Sequence, residues 1–282
     1  MLILLMILVG LFAGTMSGLL GIGGGTVFTP VLFYFFDRGG VENPELWTIG
    51  TSLFCTFAAS SGGTLKHIHQ SSAFLRESLV VGIFGVIGTA LGKLVATSSW
   101  FTREEFLLVI AVVFLYTGIN FMLKSYKTRN DVKEIARDRF IGKADSVTVG
   151  GAGGFLASIS GLGGGVLMVP IMNLGFKFSL RKSVSVSEFA IVIISAAGFI
   201  QYMLRSPVQD HAVGVGEGYT TITTYALGYI DFGLSMPLVI GAFFGAMFGV
   251  WLHDKINTSV TKFIFGILVL FVSVRMFIEL LN

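Results

Sequence analysis

The chain has 282 residues, of which 54% are hydrophobic and only 12% are charged, and its formal net charge is +3. Average soluble domains are about 45–50% apolar and about 25% charged, so this composition excludes a cytosolic enzyme, a disordered scaffold and a nucleic-acid-binding protein. Glycine is over-represented: 37 residues are glycine, about twice the usual share of about 7%.

Long apolar runs recur along the chain, and most reach the roughly 20 residues that a membrane-spanning helix needs. They lack the alternation of membrane β-strands, so we expect an all-α polytopic protein embedded in the lipid bilayer. The first run lacks the basic start of a signal peptide, and we interpret it as a retained helix. The runs are 2–20, 46–65, 78–96, 104–123, 146–176, 184–204, 232–253 and 260–281.

An internal repeat organises these runs, because GIGGGTVFTP at 21–30 matches GLGGGVLMVP at 161–170. In each half, an apolar helix precedes the glycines, and a short apolar helix and three long helices follow. The short helices (about 26–36 and 166–176) span only about 16 Å, roughly half the hydrocarbon core. We therefore predict that each glycine triplet lies inside the membrane, at the tip of a broken or re-entrant half-helix.

The basic residues predict how the chain crosses the membrane. We expect a first repeat over 1–123, a basic linker over 124–145 and a second repeat over 146–282. Seven basic residues at 124–143 place the linker in the cytoplasm. Five membrane segments per half then give an inverted repeat with both termini outside. A count of four segments per half gives parallel halves with termini inside, but the acidic loop 205–231 favours inversion.

The glycine triplets are the main candidates for a binding site. A half-helix that begins inside the membrane presents free N–H groups and the positive end of its dipole, which together attract an anion. Inverted repeats with broken helices are typical of secondary transporters, with the site near the midplane. The predicted site residues at the triplets are Gly23, Gly24, Gly25, Thr26, Gly163, Gly164 and Gly165.

Glycines also serve close helix packing without binding any ligand. That is the alternative for the triplets, although packing alone does not require three glycines in a row at matching places in both halves. It is our interpretation of two further pairs, Gly88 with Gly92 and Gly245 with Gly249.

The third helix of the first half adds further candidates for ligand binding: Thr51, Ser52, Ser60, Ser61 and Lys66. Hydroxyls in membrane helices often bond the backbone one turn earlier instead, and Lys66 is either an anion-attracting residue or a snorkelling anchor. The single cysteine, Cys55, cannot form an internal disulfide. It is either a thiol site or a small buried apolar residue.

Glu188 is a carboxylate inside an apolar run, and the repeat aligns it with Ser52. An intramembrane acid is a functional candidate because its burial is expensive. It either takes up a proton that couples transport to H⁺ or forms a structural hydrogen bond. The sequence has no P-loop and no metal-ligand spacing, so we expect neither an enzyme nor a protein with a cofactor or bound metal.

The order of several motifs resembles the TauE/SafE sulfite exporter family over nearly the whole chain. The resemblance implies a bacterial-type inner-membrane transporter of a small sulfur-containing anion such as sulfite, thiosulfate or an organosulfonate. In the second half, Ser187-Glu188-Phe189 stands where the first half has Thr51-Ser52-Leu53, and a carboxylate there repels an anion unless it is protonated. The matching motifs are Gly21-Ile22-Gly23-Gly24-Gly25 with Pro30, Gly161-Leu162-Gly163-Gly164-Gly165 with Pro170, Thr51-Ser52-Leu53-Phe54, Gly63-Thr64-Leu65-Lys66-His67 and Leu227-Gly228-Tyr229-Ile230-Asp231.

These observations predict a secondary transporter that exports a small sulfur oxyanion or organosulfonate, bound between the two half-helix N-termini, with alternating access by rocking of the repeats. Two other classes stay open: a passive anion channel, and an intramembrane thiol-dependent protein that uses Cys55. The sequence assigns no oligomeric state.

Overall fold

The computed structural model describes residues 2–69, 74–127, 140–205, 225–253, 255 and 258–281. These residues form ten α-helices and one two-stranded hairpin, which confirms the predicted all-α polytopic architecture. The first half contains α1 (Leu2–Leu20), α2 (Gly25–Arg38), α3 (Pro44–His69), α4 (Leu75–Ala96) and α5 (Arg103–Lys127). The second half contains α6 (Lys143–Ser160), α7 (Gly165–Pro170) with a π-helical turn (Ile171–Gly175), α8 (Leu180–Met203), β1 (Ala226–Leu227), β2 (Ile230–Asp231), α9 (Phe232–His253) and α10 (Thr258–Leu281).

Five helices of the described residues, α1, α4, α5, α8 and α9, are long and apolar enough to cross a membrane. Their outer surfaces are apolar as well. On α4, Leu79, Ile83, Ile87 and Leu91 follow one another every four residues and are 48–55% exposed. Large apolar surfaces of this kind are rare on soluble monomers, so this stripe is the lipid-facing side of the helix.

The first helix of each half packs on a helix of the other half: α1 lies along α9, and α6 lies along α4. Both pairs approach through glycines. A methyl group at Gly14 would overlap the Ala242 carbonyl, and one at Gly154 would overlap the Gly85 carbonyl. The repeat offsets of 140 and 157 residues relate these two contacts, so the packing follows the internal repeat.

The two GxxxG pairs contribute to the same interfaces. A side chain at Gly88 or Gly92 would overlap the carbonyls of Gly151 or Phe155 on α6. Added side chains at the equivalent pair meet carbonyls of α1 in the same way. The interpretation of Gly88, Gly92, Gly245 and Gly249 as packing residues is therefore confirmed.

Helices α3 and α8 lie side by side at the centre and run in opposite directions. Leu53 packs against Gly198, and Gly63 packs against Glu188, so rising residue numbers on one helix meet falling numbers on the other. The fifth helices of the two halves pair similarly: Ser273 Oγ of α10 donates a hydrogen bond of 2.8 Å to Ala111 O of α5.

The hairpin before α9 fixes the start of that helix. Asp231 Oδ1 accepts hydrogen bonds from Gly233 N (2.8 Å) and Leu234 N (3.0 Å), which satisfies donors of the first turn. Thr51 Oγ1 of α3 donates to Tyr229 O (3.5 Å) and accepts from Asp231 N (3.2 Å). The hairpin thus ties α9 to α3, and the Thr51 hydroxyl is used in that contact.

Candidate functional site

A glycine-rich break separates α1 from α2 (the first break, residues 21–24) and another separates α6 from α7 (the second break, residues 161–164). The glycines of both breaks have left-handed backbone angles. The φ angles are 85° and 70° at Gly23 and Gly24, and 79° and 78° at Gly163 and Gly164. Residues with a Cβ rarely adopt these angles. The glycines are therefore required by the backbone path itself, and the half-helices α2 and α7 begin directly after them.

The first turn of α2 leaves backbone donors without acceptors. Its earliest hydrogen bonds run from Val27 N and Phe28 N to Gly24 O, at 3.0 and 3.2 Å. Within the described part of the chain, the N–H groups of Gly25 and Thr26 have no acceptor. The second break repeats this pattern at the equivalent residues. These are donors of the kind that an oxyanion accepts.

The two breaks lie back to back in the buried interior. A Cβ added at Gly25 would lie 2.6 Å from the Leu162 carbonyl carbon, and one added at Gly165 would lie 2.7 Å from Ile22 Cα. Because glycine stands at both positions, the two backbones approach to contact. The N-termini of both half-helices are thus brought to one place. From the sequence, this meeting is predicted only through the symmetry of the internal repeat.

Thr56 of α3 and Ile191 of α8 flank this meeting point. Their methyl carbons, Thr56 Cγ2 and Ile191 Cγ2, lie within 4 Å of a Cβ added at Gly23, and again of one added at Gly163. Thr56 is fully buried, and its Oγ1 has no hydrogen-bond partner among the described residues. The sequence prediction missed Thr56, although it follows Ser52 by four residues and therefore shares its helix face.

Ser52 and Ser187 bind the breaks crosswise. Ser52 Oγ donates to Gly161 O (2.8 Å), and Ser187 Oγ donates to Gly21 O (2.7 Å). The residue equivalent to Ser52 is therefore Ser187, and the alignment of Glu188 with Ser52 is wrong by one residue. The half-helix, with its π turn, is three residues shorter in the second half than in the first (Gly165–Gly175 against Gly25–Arg38), and this accounts for most of the change in repeat offset between the breaks and the third helix.

The other polar candidates of α3 differ in what they contact. Ser60 is fully buried, and its hydroxyl has no partner within the described residues. Ser61 Oγ instead donates to Phe57 O of its own helix (2.6 Å). Lys66 is partly exposed near the end of α3, about 15 Å beyond Thr56 along the helix. The structure therefore brings Ser60, but not Ser61 or Lys66, into the buried polar interior near the breaks. Cys55 is completely buried in the apolar core.

Thr26 lies at the inner end of a groove of about 530 Å³ between α1, α2 and α10, which we call the α2 groove. Apolar side chains form most of its walls, and Asp37, Arg275 and Glu279 line its other end. Thr26 is fully buried, and its Oγ1 has no hydrogen-bond partner in the described parts of the chain. The α2 groove thus connects the start of a half-helix with a charged rim.

Glu188 is completely buried one helical turn before Ile191. Ser17 Oγ of α1 donates to its Oε1 (3.0 Å), whereas its Oε2 has no hydrogen-bond partner among the described residues. Gly63 lies against Oε2, and Ser60 lies beside the carboxylate outside normal hydrogen-bond geometry. No cation of the described residues forms an ion pair with it. Groups of three or more potential metal-binding side chains are likewise absent from this part of the chain.

Comparison with known proteins assigns the family. The family model "Sulfite exporter TauE/SafE" matches residues 6–276, which run from α1 to α10. A "probable membrane transporter protein" of Methanocaldococcus jannaschii is 26% identical over 253 residues, covering 90% of this chain and 87% of that protein. YunE of Bacillus subtilis, described in the same words, is 25% identical over 294 aligned positions, covering 98% of this chain and 97% of its own. No solved structure matches the chain. The chain therefore belongs to the TauE/SafE sulfite exporter family and is a multi-pass membrane protein.

Proposed function

We propose that the protein is a secondary transporter of the plasma (inner) membrane that exports a small sulfur-containing anion, sulfite or an organosulfonate. The observation that carries the proposal is the meeting of the two breaks. The first turns of both half-helices leave backbone donors free there, and the buried hydroxyls of Thr26 and Thr56 have no partner among the described residues. The family supplies the substrate class. Its relatives are named as transporters and not as enzymes, which supports transport without catalysis.

The anion is bound by backbone donors and helix dipoles. An oxyanion accepts the N–H groups that the first turns of α2 and α7 leave free, and the positive ends of both helices stabilise its charge. Gly23, Gly24, Gly25, Gly163, Gly164 and Gly165 let it approach the backbone, while Thr26, Thr56 and Ser60 donate from side chains. This site needs no buried lysine or arginine, which suits a ligand that has to leave again.

We infer that the two halves are inverted in the membrane. Equivalent membrane helices of parallel halves would point the same way, whereas α3 and α8 run in opposite directions. The positive-inside rule then places the linker 124–143 in the cytoplasm and both termini outside. Residues 128–139 of the linker, together with Asp210 and Glu217 of the acidic loop, lie outside the described residues.

Glu188 is the proposed proton site. A charged carboxylate buried without a cation is costly, and it repels an anion held one helical turn away. Uptake of a proton together with the anion removes both penalties. The contacts with Ser17 and Gly63 hold the carboxyl group in place for this exchange.

The test is uptake of labelled sulfite into proteoliposomes that contain the purified full-length protein. We expect flux that saturates with sulfite concentration. Thr26→Val should weaken sulfite binding, and so raise the half-saturating concentration, about 3- to 10-fold because one ordinary hydrogen bond is lost. Thr117→Val is the matched control, since Thr117 is equally buried on α5 and its hydroxyl bonds Val113 O of its own helix (2.7 Å). Unchanged binding in Thr26→Val contradicts the site, and flux that does not saturate identifies a passive channel instead.

A further inference from the structure

A row of buried hydroxyls continues along α3 beyond the breaks. The hydroxyl row, Thr56, Ser60 and Thr64, repeats every four residues, so its members lie on one face of the helix. Their exposed fractions are 0%, 0% and 7%, and none of the three hydroxyls makes a hydrogen bond of normal geometry within the described residues, although Ser60 lies beside the Glu188 carboxylate. Ser61 and Thr48, on the same helix, make the usual bond to the carbonyl four residues earlier. The missing bonds are therefore particular to this face.

The hydroxyl row faces α8. Gly63 lies on the same face, and a Cβ added there would be 2.8 Å from Glu188 Oε2, which likewise has no partner in the described part of the chain. Buried polar groups without partners are rare in native structures and are normally satisfied by water or a ligand. Several polar atoms at the contact between α3 and α8 would thus gain hydrogen-bond partners if water entered this contact.

The hydroxyl row and the α2 groove lie on opposite sides of the breaks. Helix α2 leads from the breaks to Asp37 at the rim of the groove, and α3 returns from Pro44 to the breaks at Thr56. From Thr56, α3 continues for about 20 Å to its end at His69. A solute that reached the breaks through the α2 groove would therefore pass the hydroxyl row before it left the protein at the C-terminal end of α3.

We propose that the hydroxyl row is the second half of the translocation passage. When α3 and α8 separate, Thr56, Ser60, Thr64 and Glu188 line a hydrated path for the anion between the breaks and the C-terminal end of α3. The present structure has the α2 groove open and this path closed. Hydroxyls suit such a wall because they donate to a passing oxyanion without holding it by charge. The inference rests on the proposed transport function.

The passage is tested by cysteine accessibility. Cys55→Ala removes the single cysteine, and Ser60→Cys and Thr64→Cys are then made singly in that background. Ala58→Cys is the matched control, because Ala58 is buried on the face of α3 that carries Gly62 and packs on Phe243 of α9, away from the hydroxyl row. In proteoliposomes, a membrane-impermeant methanethiosulfonate reagent should label positions 60 and 64 at least about tenfold faster than position 58, since only wall residues meet water when the passage opens.

Equal labelling at positions 58, 60 and 64 would overturn the passage. Because labelling does not depend on the substrate, the experiment also separates the two proposals. The substrate used here is the organosulfonate sulfoacetate, because sulfite itself destroys the methanethiosulfonate reagent. Sulfoacetate should slow labelling at position 60; fast labelling that sulfoacetate leaves unchanged supports the passage and counts against an organosulfonate as the substrate.

A second measurement does not rely on cysteine. Thr56→Val and Thr64→Val keep the side-chain shape and remove a hydroxyl that has no partner. A merely structural residue would then leave flux unchanged while thermal stability stays equal or rises, because an unsatisfied polar group has been removed. We expect the same stability but a sulfite flux reduced about 3- to 10-fold in each variant, from the loss of one hydrogen bond along the passage. Wild-type flux in both variants would overturn the assignment.

Discussion

Ser52 and Ser187 hold the two breaks in the same way from opposite halves. Each hydroxyl donates to the first glycine carbonyl of the other half's break, at 2.8 Å to Gly161 and 2.7 Å to Gly21. These carbonyls belong to chain that has left the helix, so the serine hydroxyls supply bonds that a regular helix would have made. Each half therefore stabilises the irregular backbone of the other.

The first prediction concerns these two serines. Ser52→Ala and Ser187→Ala should each lower the free energy of unfolding by about 0.6–1.7 kcal/mol, the range of hydrogen bonds between membrane helices. Ser61→Ala should have a smaller effect, because that hydroxyl bonds only its own helix. Denaturant unfolding in detergent micelles measures all three variants. A Ser61 variant as unstable as the other two would contradict the crosswise role.

A buried ion pair gives the second prediction. Lys182 Nζ lies 2.7 Å from Glu77 Oε1, both side chains are at most 5% exposed, and Ile141 N also donates to this oxygen (2.9 Å). Lys182→Met leaves the Glu77 carboxylate buried without its cation and should lower the free energy of unfolding by about 3–5 kcal/mol. Unfolding in micelles again provides the measurement.

The double variant Glu77→Gln with Lys182→Met is the control for this pair. Glutamine keeps an acceptor for Ile141 N while neither charge remains, so most of the lost stability should return. Arg103→Gln offers a comparison at a more exposed ion pair, since Arg103 is 37% exposed and donates two hydrogen bonds to Asp37, and it should lower stability less than Lys182→Met does. A double variant that is no more stable than Lys182→Met would refute the explanation.

The third prediction concerns two effects of replacing a glycine by alanine: the strain of a left-handed φ angle, and the overlap of the new side chain with its neighbours. Gly40 and Gly164 both have left-handed φ angles, 66° and 78°. An added Cβ meets nothing within 4 Å at Gly40 but overlaps the Gly153 carbonyl at Gly164. Gly40→Ala should destabilise by about 1–2 kcal/mol from the φ angle alone, and Gly164→Ala by a further 1–3 kcal/mol, roughly the cost of overpacking. Thermal unfolding of both variants should show this difference, and equal losses would mean that the backbone contact is unimportant.

The fourth prediction tests proton coupling. Glu188→Gln keeps an acceptor for Ser17 but cannot exchange a proton. Wild-type sulfite flux should change between acidic and neutral pH, whereas flux in Glu188→Gln should not, with similar thermal stability in both. Glu104→Gln, at an exposed position of α5, controls for a general effect of removing a carboxylate. Coupling at Glu188 is excluded if the wild type is insensitive to pH or if Glu188→Gln keeps the full pH response.

The half-helices could be predicted from the sequence because glycine triplets mark where regular helix ends. Helices α2 and α7 begin at Gly25 and Gly165, one residue before the predicted starts. The hydroxyls were harder to predict. Ser60 and Ser61 are neighbours of the same chemistry, but only Ser61 bonds its own backbone, and the difference depends on how α3 packs against α8.

The contact of Ser187 with the first break could not be read from the repeat alone. The glycine triplets align at an offset of 140 residues, whereas Ser52 and Ser187 are 135 residues apart. Three of the five residues of difference are lost from the half-helix, which has 14 residues in the first half and 11, with its π turn, in the second. The turn that follows and the start of the third helix are each one residue shorter, and no glycine motif marks the register there. Thr56 and its counterpart Ile191 differ in polarity as well, so no sequence match identifies them as a pair.

The crosswise packing of α1 on α9 has a consequence for the order of synthesis. Helix α1 is made before α9, and the glycine-lined face that packs on α9 has no partner until residues 232–253 follow more than 200 residues later. At translation rates of about 5–20 residues per second, α1 waits in the bilayer for roughly 10–40 s. The first half therefore cannot finish folding before most of the second half has been made, and the glycine breaks assemble only after most of the chain has been inserted.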